Sequence, residues 1–239
     1  MKLLPTLAAT ALLTTSFYSN ALVIDFTDST KWGTPASPQT QSYTSASGMT
    51  FNVQVQAFRN NGNPTNYTFN AGEAHSSCMA VTGLACNGDG LGVRNDEISG
   101  GSNNLQKIEV RFFDETNNPL SLDFLNVQFL DLFANEGQNN SQAEVATILF
   151  DTPPTTSVTG TATDRLGFAS YDASGTSSST LTALVLDIAD TGFMDFSLAA
   201  ITIDEGSDAF KVAEPASLAL FGLGLLGFGY SSRQRKPNA

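Results

Sequence analysis

The sequence predicts an all-β protein built as a single β-sandwich of jelly-roll type, and three observations carry that expectation. Apolar and polar residues alternate with period two along several short segments. Clusters rich in Gly, Asn, Pro and Ser separate those segments. Between the two chain ends no segment sustains a period near 3.6, so no amphipathic helix is expected.

The elements follow in order. Leu22–Phe26 is the first candidate strand. Phe51, Val53, Val55 and Ala57 alternate with Asn52, Gln54 and Gln56, as a half-buried strand requires. Ile108, Val110 and Phe112 alternate in the same way with Lys107, Glu109 and Arg111. The run from Leu120 to Leu132 is too long for one register. Its apolar phase slips between Phe124 and Leu125, which predicts a bulge or a bend. Ala143–Phe150, Ser157–Ala162, Leu181–Ile188 and Ser197–Ile203 complete the set of expected strands. The intervening turn chemistry lies at Asn60–Pro64, Asn117–Pro119, Asn135–Asn140 and Asp151–Pro154.

Composition narrows the function classes. The 239 residues carry 23 acidic and 11 basic side chains, a net charge of −12. Such a chain cannot neutralise a phosphate backbone, so nucleic acid is excluded as a partner. A single His excludes multi-His metal sites. There is no Gly-x-Ser-x-Gly elbow and no phosphate-binding loop, and His75 reads as a loop residue rather than a catalytic base. The expectation is therefore a non-enzymatic protein, with a secreted hydrolase as an alternative because so many acids always allow some carboxylate pair.

Both ends read as addresses. Lys2, the apolar stretch Leu3–Leu13 and the small residues around Ser19 and Ala21 have the three-part form of a secretory signal peptide, residues 1–21, with cleavage after Ala21. The domain proper is then residues 22–211. Near the other end, Glu214-Pro215 precedes an uncharged span from Ala216 to Tyr230, followed by Arg233, Arg235 and Lys236. The span is short for a bilayer crossing of about 30 Å, and the basic residues act as a cytoplasmic stop. This order of Glu-Pro, a Gly/Leu-rich span and a basic tail resembles the PEP-CTERM sorting signal of Gram-negative bacteria over residues 212–236. Ala213 stands where that pattern usually has Pro. The resemblance implies recognition by an exosortase-type membrane protease and transient anchoring in the inner membrane. It further implies delivery to the cell surface or extracellular matrix, in bacteria that make exopolysaccharide.

Three further sets of residues are candidates for chemistry. Cys78 and Cys86 predict a disulfide, since an exported chain meets an oxidising compartment. Asn87, Asp89, Asp96 and Glu97 place oxygen ligands along a Gly-rich stretch, which suits calcium. The competing reading is a turn with solvated carboxylates, because the spacing fits no EF-hand. Asp25, Asp28, Asp204, Glu205 and Asp208 bring a second acidic set to the first and last strands. They would fit either a structural calcium or a charged strand edge. With Trp32, Tyr43, Tyr67 and Tyr171 as stacking residues in loops, the alternative function is a calcium-stabilised carbohydrate-binding module.

Overall fold

The computed structural model describes residues 21–59, 62–70, 76–79, 83–93, 97–100, 106–134, 143–151, 155–160, 167–185 and 195–205. In chain order the elements are β1 (Ala21–Asp25), α1 (Ser29–Trp32), β2 (Gln39–Thr44), β3 (Thr50–Arg59), β4 (Asn63–Thr65) and β5 (Tyr67–Asn70). There follow α2 (Ser76–Met79), β6 (Gly90–Val93), β7 (Ile98–Ser99), β8 (Lys107–Asp114) and β9 (Leu122–Leu130). The last are β10 (Val145–Phe150), β11 (Thr156–Thr159), β12 (Ala169–Ser178), β13 (Thr180–Val185) and β14 (Asp195–Asp204).

The chain is all-β, with two antiparallel seven-stranded sheets and only two helices of one turn among the described residues. One sheet runs β12-β9-β14-β6-β5, with β1 and β7 also on β14. The other runs β11-β10-β13-β8-β3-β2, with β4 on β3. The alternation of β3 and β8 does what it predicts. Val53, Val55 and Ala57 pair with Phe112, Val110 and Ile108 in register, and all of them are fully buried, as is Phe51 opposite Asp114.

The two sheets share one apolar core. Phe124 of β9 packs on Phe112 of β8 and Phe150 of β10, with ring centroids 5.6 and 5.3 Å apart, so one aromatic side chain joins both sheets. The phase slip is real. Phe124 pairs with Ile203 and Asn126 with Thr202, which leaves Leu125 as the extra residue of a bulge.

Several strands were not expected from the sequence. Among the described residues β12 pairs only with β9 at the edge of its sheet, and its polar Ser, Thr and Asp residues hide the alternation. Its pairing breaks between Asp172 and Thr176, where Gly175 takes φ +85°. The clearest correction concerns the Gly-rich stretch after Asp89. Its glycines suggest a turn, yet Gly90–Val93 is the fully buried strand β6. A Cβ on Gly90, whose φ is +109°, would stand 2.4 Å from the Leu198 carbonyl oxygen of β14. Glycine is there because a neighbouring backbone is too close for any side chain.

Candidate functional site

The described part of the predicted constellation centres on β1. This strand pairs with β14 from Ala21↔Asp204 to Asp25↔Ala200, so the first and last described strands lie side by side. The two acidic clusters, however, sit at opposite ends of that ladder. Asp25 and Asp28 lie at one end, Asp204 and Glu205 at the other. Asp208 is outside the described residues. The four described acids therefore do not converge on one cation site.

Asp28, Glu205 and Asp25 each have a local structural task. Asp28 caps α1, accepting hydrogen bonds from the Thr30 amide (2.9 Å) and the Thr30 hydroxyl (2.6 Å). Glu205 Oε1 accepts the Ala46 amide at 2.8 Å and ties the end of β14 to the turn between β2 and β3. Asp25 Oδ1 accepts the Thr27 amide and hydroxyl, while Oδ2 accepts the Ala85 amide at 2.6 Å.

Thr27 continues the clamp. Its hydroxyl oxygen accepts the Cys86 amide at 2.9 Å, and its carbonyl accepts the Asn87 amide at 3.1 Å. Three successive amides, Ala85 to Asn87, are thus bound by two residues at the end of β1. Thr27 is fully buried. The only sequence signal for this role was an Asp-x-Thr spacing, which is common in turns.

The clamped segment ends in the disulfide. Cys78 and Cys86 are bonded with a Cα–Cα separation of 5.7 Å. Together with Leu130 and Ala199 they form a second apolar cluster, against which Leu84 and Phe168 pack. Neighbouring residues Phe129 and Leu198 belong to the main core, so the disulfide loop covers the other face of β9 and β14.

Three of the four calcium candidates fall among the described residues. Asn87 is exposed, Asp89 is buried at the entry to β6, and Glu97 is half-buried beside β7. Asp96 lies outside the described residues. Among the described residues no three His, Cys, Asp or Glu side chains group so as to hold a metal ion. His75 is likewise outside the described residues.

The proposed stacking residues are corrected too. Trp32 and Tyr67 are fully buried and Tyr43 nearly so. Trp32 packs on Phe26 at 5.2 Å and on Tyr67 at 6.4 Å. The Tyr67 hydroxyl donates to the Trp32 carbonyl (3.0 Å), and burial pushes its pKa up. Tyr43 stacks on Phe51 with Lys31 over its ring, and burial is the first cause of its raised pKa. Tyr171 is half-buried against the core. Large aromatics flanked by polar residues look like loops in sequence but serve here as plugs under α1 and β2.

Residues 1–20, of the signal peptide expected over 1–21, and the tail residues Glu214, Pro215, Arg233, Arg235 and Lys236 are outside the described residues. Among the described residues no helix is long and apolar enough to cross a membrane. The tail is instead placed by comparison. Residues 212–236, shortly beyond the end of β14, match the family model of the PEP-CTERM protein-sorting motif. The chain carries a PEP-CTERM sorting motif. This motif implies export, transit through the membrane towards the cell surface, and processing by exosortase-type machinery. The PEP-CTERM match covers the same 25 residues whose order of Glu-Pro, apolar span and basic tail stands out in sequence. No curated protein and no solved structure matches the chain.

Proposed function

We propose that this is a non-enzymatic protein of the cell surface or extracellular matrix. In this reading residues 22–211 form one β-sandwich domain of jelly-roll type, and residues 1–21 are removed as a signal peptide. An exosortase-type protease recognises Glu214-Pro215 while the span up to Tyr230 holds the chain in the inner membrane. Arg233, Arg235 and Lys236 keep the tail end on the cytoplasmic side. The released or attached protein then associates with exopolysaccharide.

The observation that carries this reading is the sorting motif at residues 212–236. Two sheets with a common core support the sandwich. The disulfide supports an oxidising destination. The non-enzymatic role is supported by how the acids are employed. Asp25, Asp28, Asp114, Asp151 and Asp172 each accept hydrogen bonds from nearby backbone and hydroxyl groups, which is turn and clamp chemistry.

Intact masses of the protein from surface and medium of a producing host test the reading. The expected species lacks both the leader and the tail from near Glu214, and is two protons lighter before reduction than after. A full-length tail confined to the membrane fraction would overturn the exosortase assignment. Retention on immobilised host polysaccharide, compared with and without chelator, tests the matrix association.

A further inference from the structure

Two phenylalanines of β3 and β8 fall on the outward face of their sheet. The buried apolar residues of these strands alternate into the core, which leaves Phe58 and Phe113 on the opposite side. Each is half-buried, and neither belongs to the core cluster or packs against it. Each also lies opposite an exposed proline in the register, Phe58 opposite Pro64 of β4 and Phe113 opposite Pro119. Lys107 Nζ stands 4.5 Å from the Phe58 ring centroid and holds that ring in position. The outer face of the sheet thus carries two apolar platforms.

The ground between them is polar. Asn52, paired with Phe113, and Gln54 and Gln56 lead along β3 to Phe58, over about 20 Å of strand. The Asn52 side chain has no hydrogen-bond partner among the described residues, and Gln54 Nε2 reaches the Thr40 hydroxyl at 3.5 Å. Beside them Glu109 is nearly buried and is salt-bridged to Lys107 (3.5 Å) and to Arg111. Its charge is therefore compensated within the strip. The other sheet is the reverse, since its strands carry Asp25, Asp123, Asp172, Asp195 and Asp204 and no Lys or Arg.

These features select an occupant. A protein partner calls for a patch that is apolar at its centre, whereas here the centre is amide and the apolar groups stand at the ends. Side-chain amides donate and accept, which matches sugar hydroxyls, and aromatic rings pack on the apolar C–H faces of sugar rings. The platforms are too far apart for one sugar ring to touch both, so the fit is to a chain of linked rings. A net charge of −12 would repel a polyanion. We infer that the outer face of β3 and β8 binds a neutral linear polysaccharide. Phe58 and Phe113 stack on it at the two ends, and Asn52 and Gln54 bond its hydroxyls between them. The inference rests on the reading that the protein associates with exopolysaccharide, and gives that association a surface and a sugar chemistry.

The test is affinity electrophoresis of the full chain, disulfide formed, in a neutral detergent. The gel holds exopolysaccharide purified from a producing host, either as isolated or with its carboxyl groups reduced to alcohols. The wild-type chain should be retarded by both, and at least as strongly by the reduced polymer. Long fragments of the polymer should compete, and disaccharide fragments should not. Phe58→Ala combined with Phe113→Ala should weaken binding about tenfold or more. Asn52→Ala combined with Gln54→Ala, both on the outward face, should weaken it severalfold with an unchanged urea midpoint. This second variant decides the matter if the first does not fold. Retardation that the folded variants leave unchanged would overturn the proposed face while the polysaccharide association stands. Loss of retardation on carboxyl reduction would overturn the neutral occupant. A wild-type chain retarded by neither gel would overturn the association itself, and the face with it.

Discussion

β8 and β14 are inner strands of the two sheets, and they are held in different ways. β8 pairs with β3 over eight consecutive residues, from Phe51↔Asp114 to Phe58↔Lys107, without a slip. One face carries Ile108, Val110 and Phe112 into the core, and the other carries Lys107, Glu109 and Arg111, where Glu109 is salt-bridged to both its basic neighbours. β14 is served by four different strands, shows two register shifts against β9, and is buried without interruption from Phe196 to Ile201. The difference teaches where sequence patterns fail. A strand with one wet face announces itself by alternation. A strand covered on both faces is shaped by what lies against it, and those neighbours come from distant parts of the chain.

Six substitutions sharpen or break that comparison. The largest effects belong to the shared core. Phe112→Ala on β8 and Phe129→Ala on β9, which meets Phe196 of β14, should each destabilise by about 3–5 kcal/mol in urea unfolding. A loss under about 1 kcal/mol at either position would mean the two sheets do not unfold as one unit.

Next comes Gly90→Ala. Positive φ and the 2.4 Å approach to Leu198 O together should cost about 2–4 kcal/mol. Gly175 also has positive φ, but a Cβ there meets nothing within 4 Å, so Gly175→Ala should cost only about 1 kcal/mol. Equal costs would show that conformation, not crowding, selects glycine in β6.

Thr27→Val keeps the shape of the clamp and removes its hydroxyl. The Cys86 amide then loses its acceptor, for an expected loss of about 1–3 kcal/mol. Amide exchange at Ala85–Asn87 should rise before exchange in β3 and β8 does. Unchanged protection there would show that the disulfide alone holds the loop.

The smallest effect is a pH dependence beside β8. Hydrogen bonds from the Thr116 side chain, then from the Asn118 backbone and side chain, hold the Asp114 carboxyl down to about 2. Asp151 is also lowered. Burial would raise it, but its hydrogen bonds from Ser179 prevail. Groups with depressed values stabilise the fold above the ordinary carboxylate pKa, and that stability fades as pH falls from about 4 towards 2. Asp114→Asn should flatten the fall of Tm across that window and leave the remaining slope to Asp151 and its like. An unaltered Tm profile would remove Asp114 from the account of acid sensitivity.

Much of one sheet was legible in advance. β3, β8, β10 and β13 stand close to where alternation and turn residues put them, and the bulge at Leu125 was visible as a slipped phase. The disulfide followed from compartment chemistry. What could not be read were β2, β5, β6 and β12. β2 and β12 are mostly polar, β6 alternates with glycine, and β5 is only four residues long, so none shows a sustained apolar period. Gly90 reads as a turn unless Leu198 is known to stand against it. Trp32 and Tyr67 read as exposed aromatics until α1 and β5 are seen to fold over each other.

By itself the sequence determined the class, the disulfide and the address, because each depends on residues close together in the chain. Period-two patterning, two cysteines eight positions apart and a 25-residue sorting motif are local signals. Only the tertiary structure decided that Asp25 and Thr27 clamp a loop rather than bind a cation, and that a glycine-rich stretch is a buried strand. It alone set the start of β1 beside the end of β14. Those outcomes depend on contacts between segments far apart in the chain, and period and propensity carry no record of which distant segment will supply a partner.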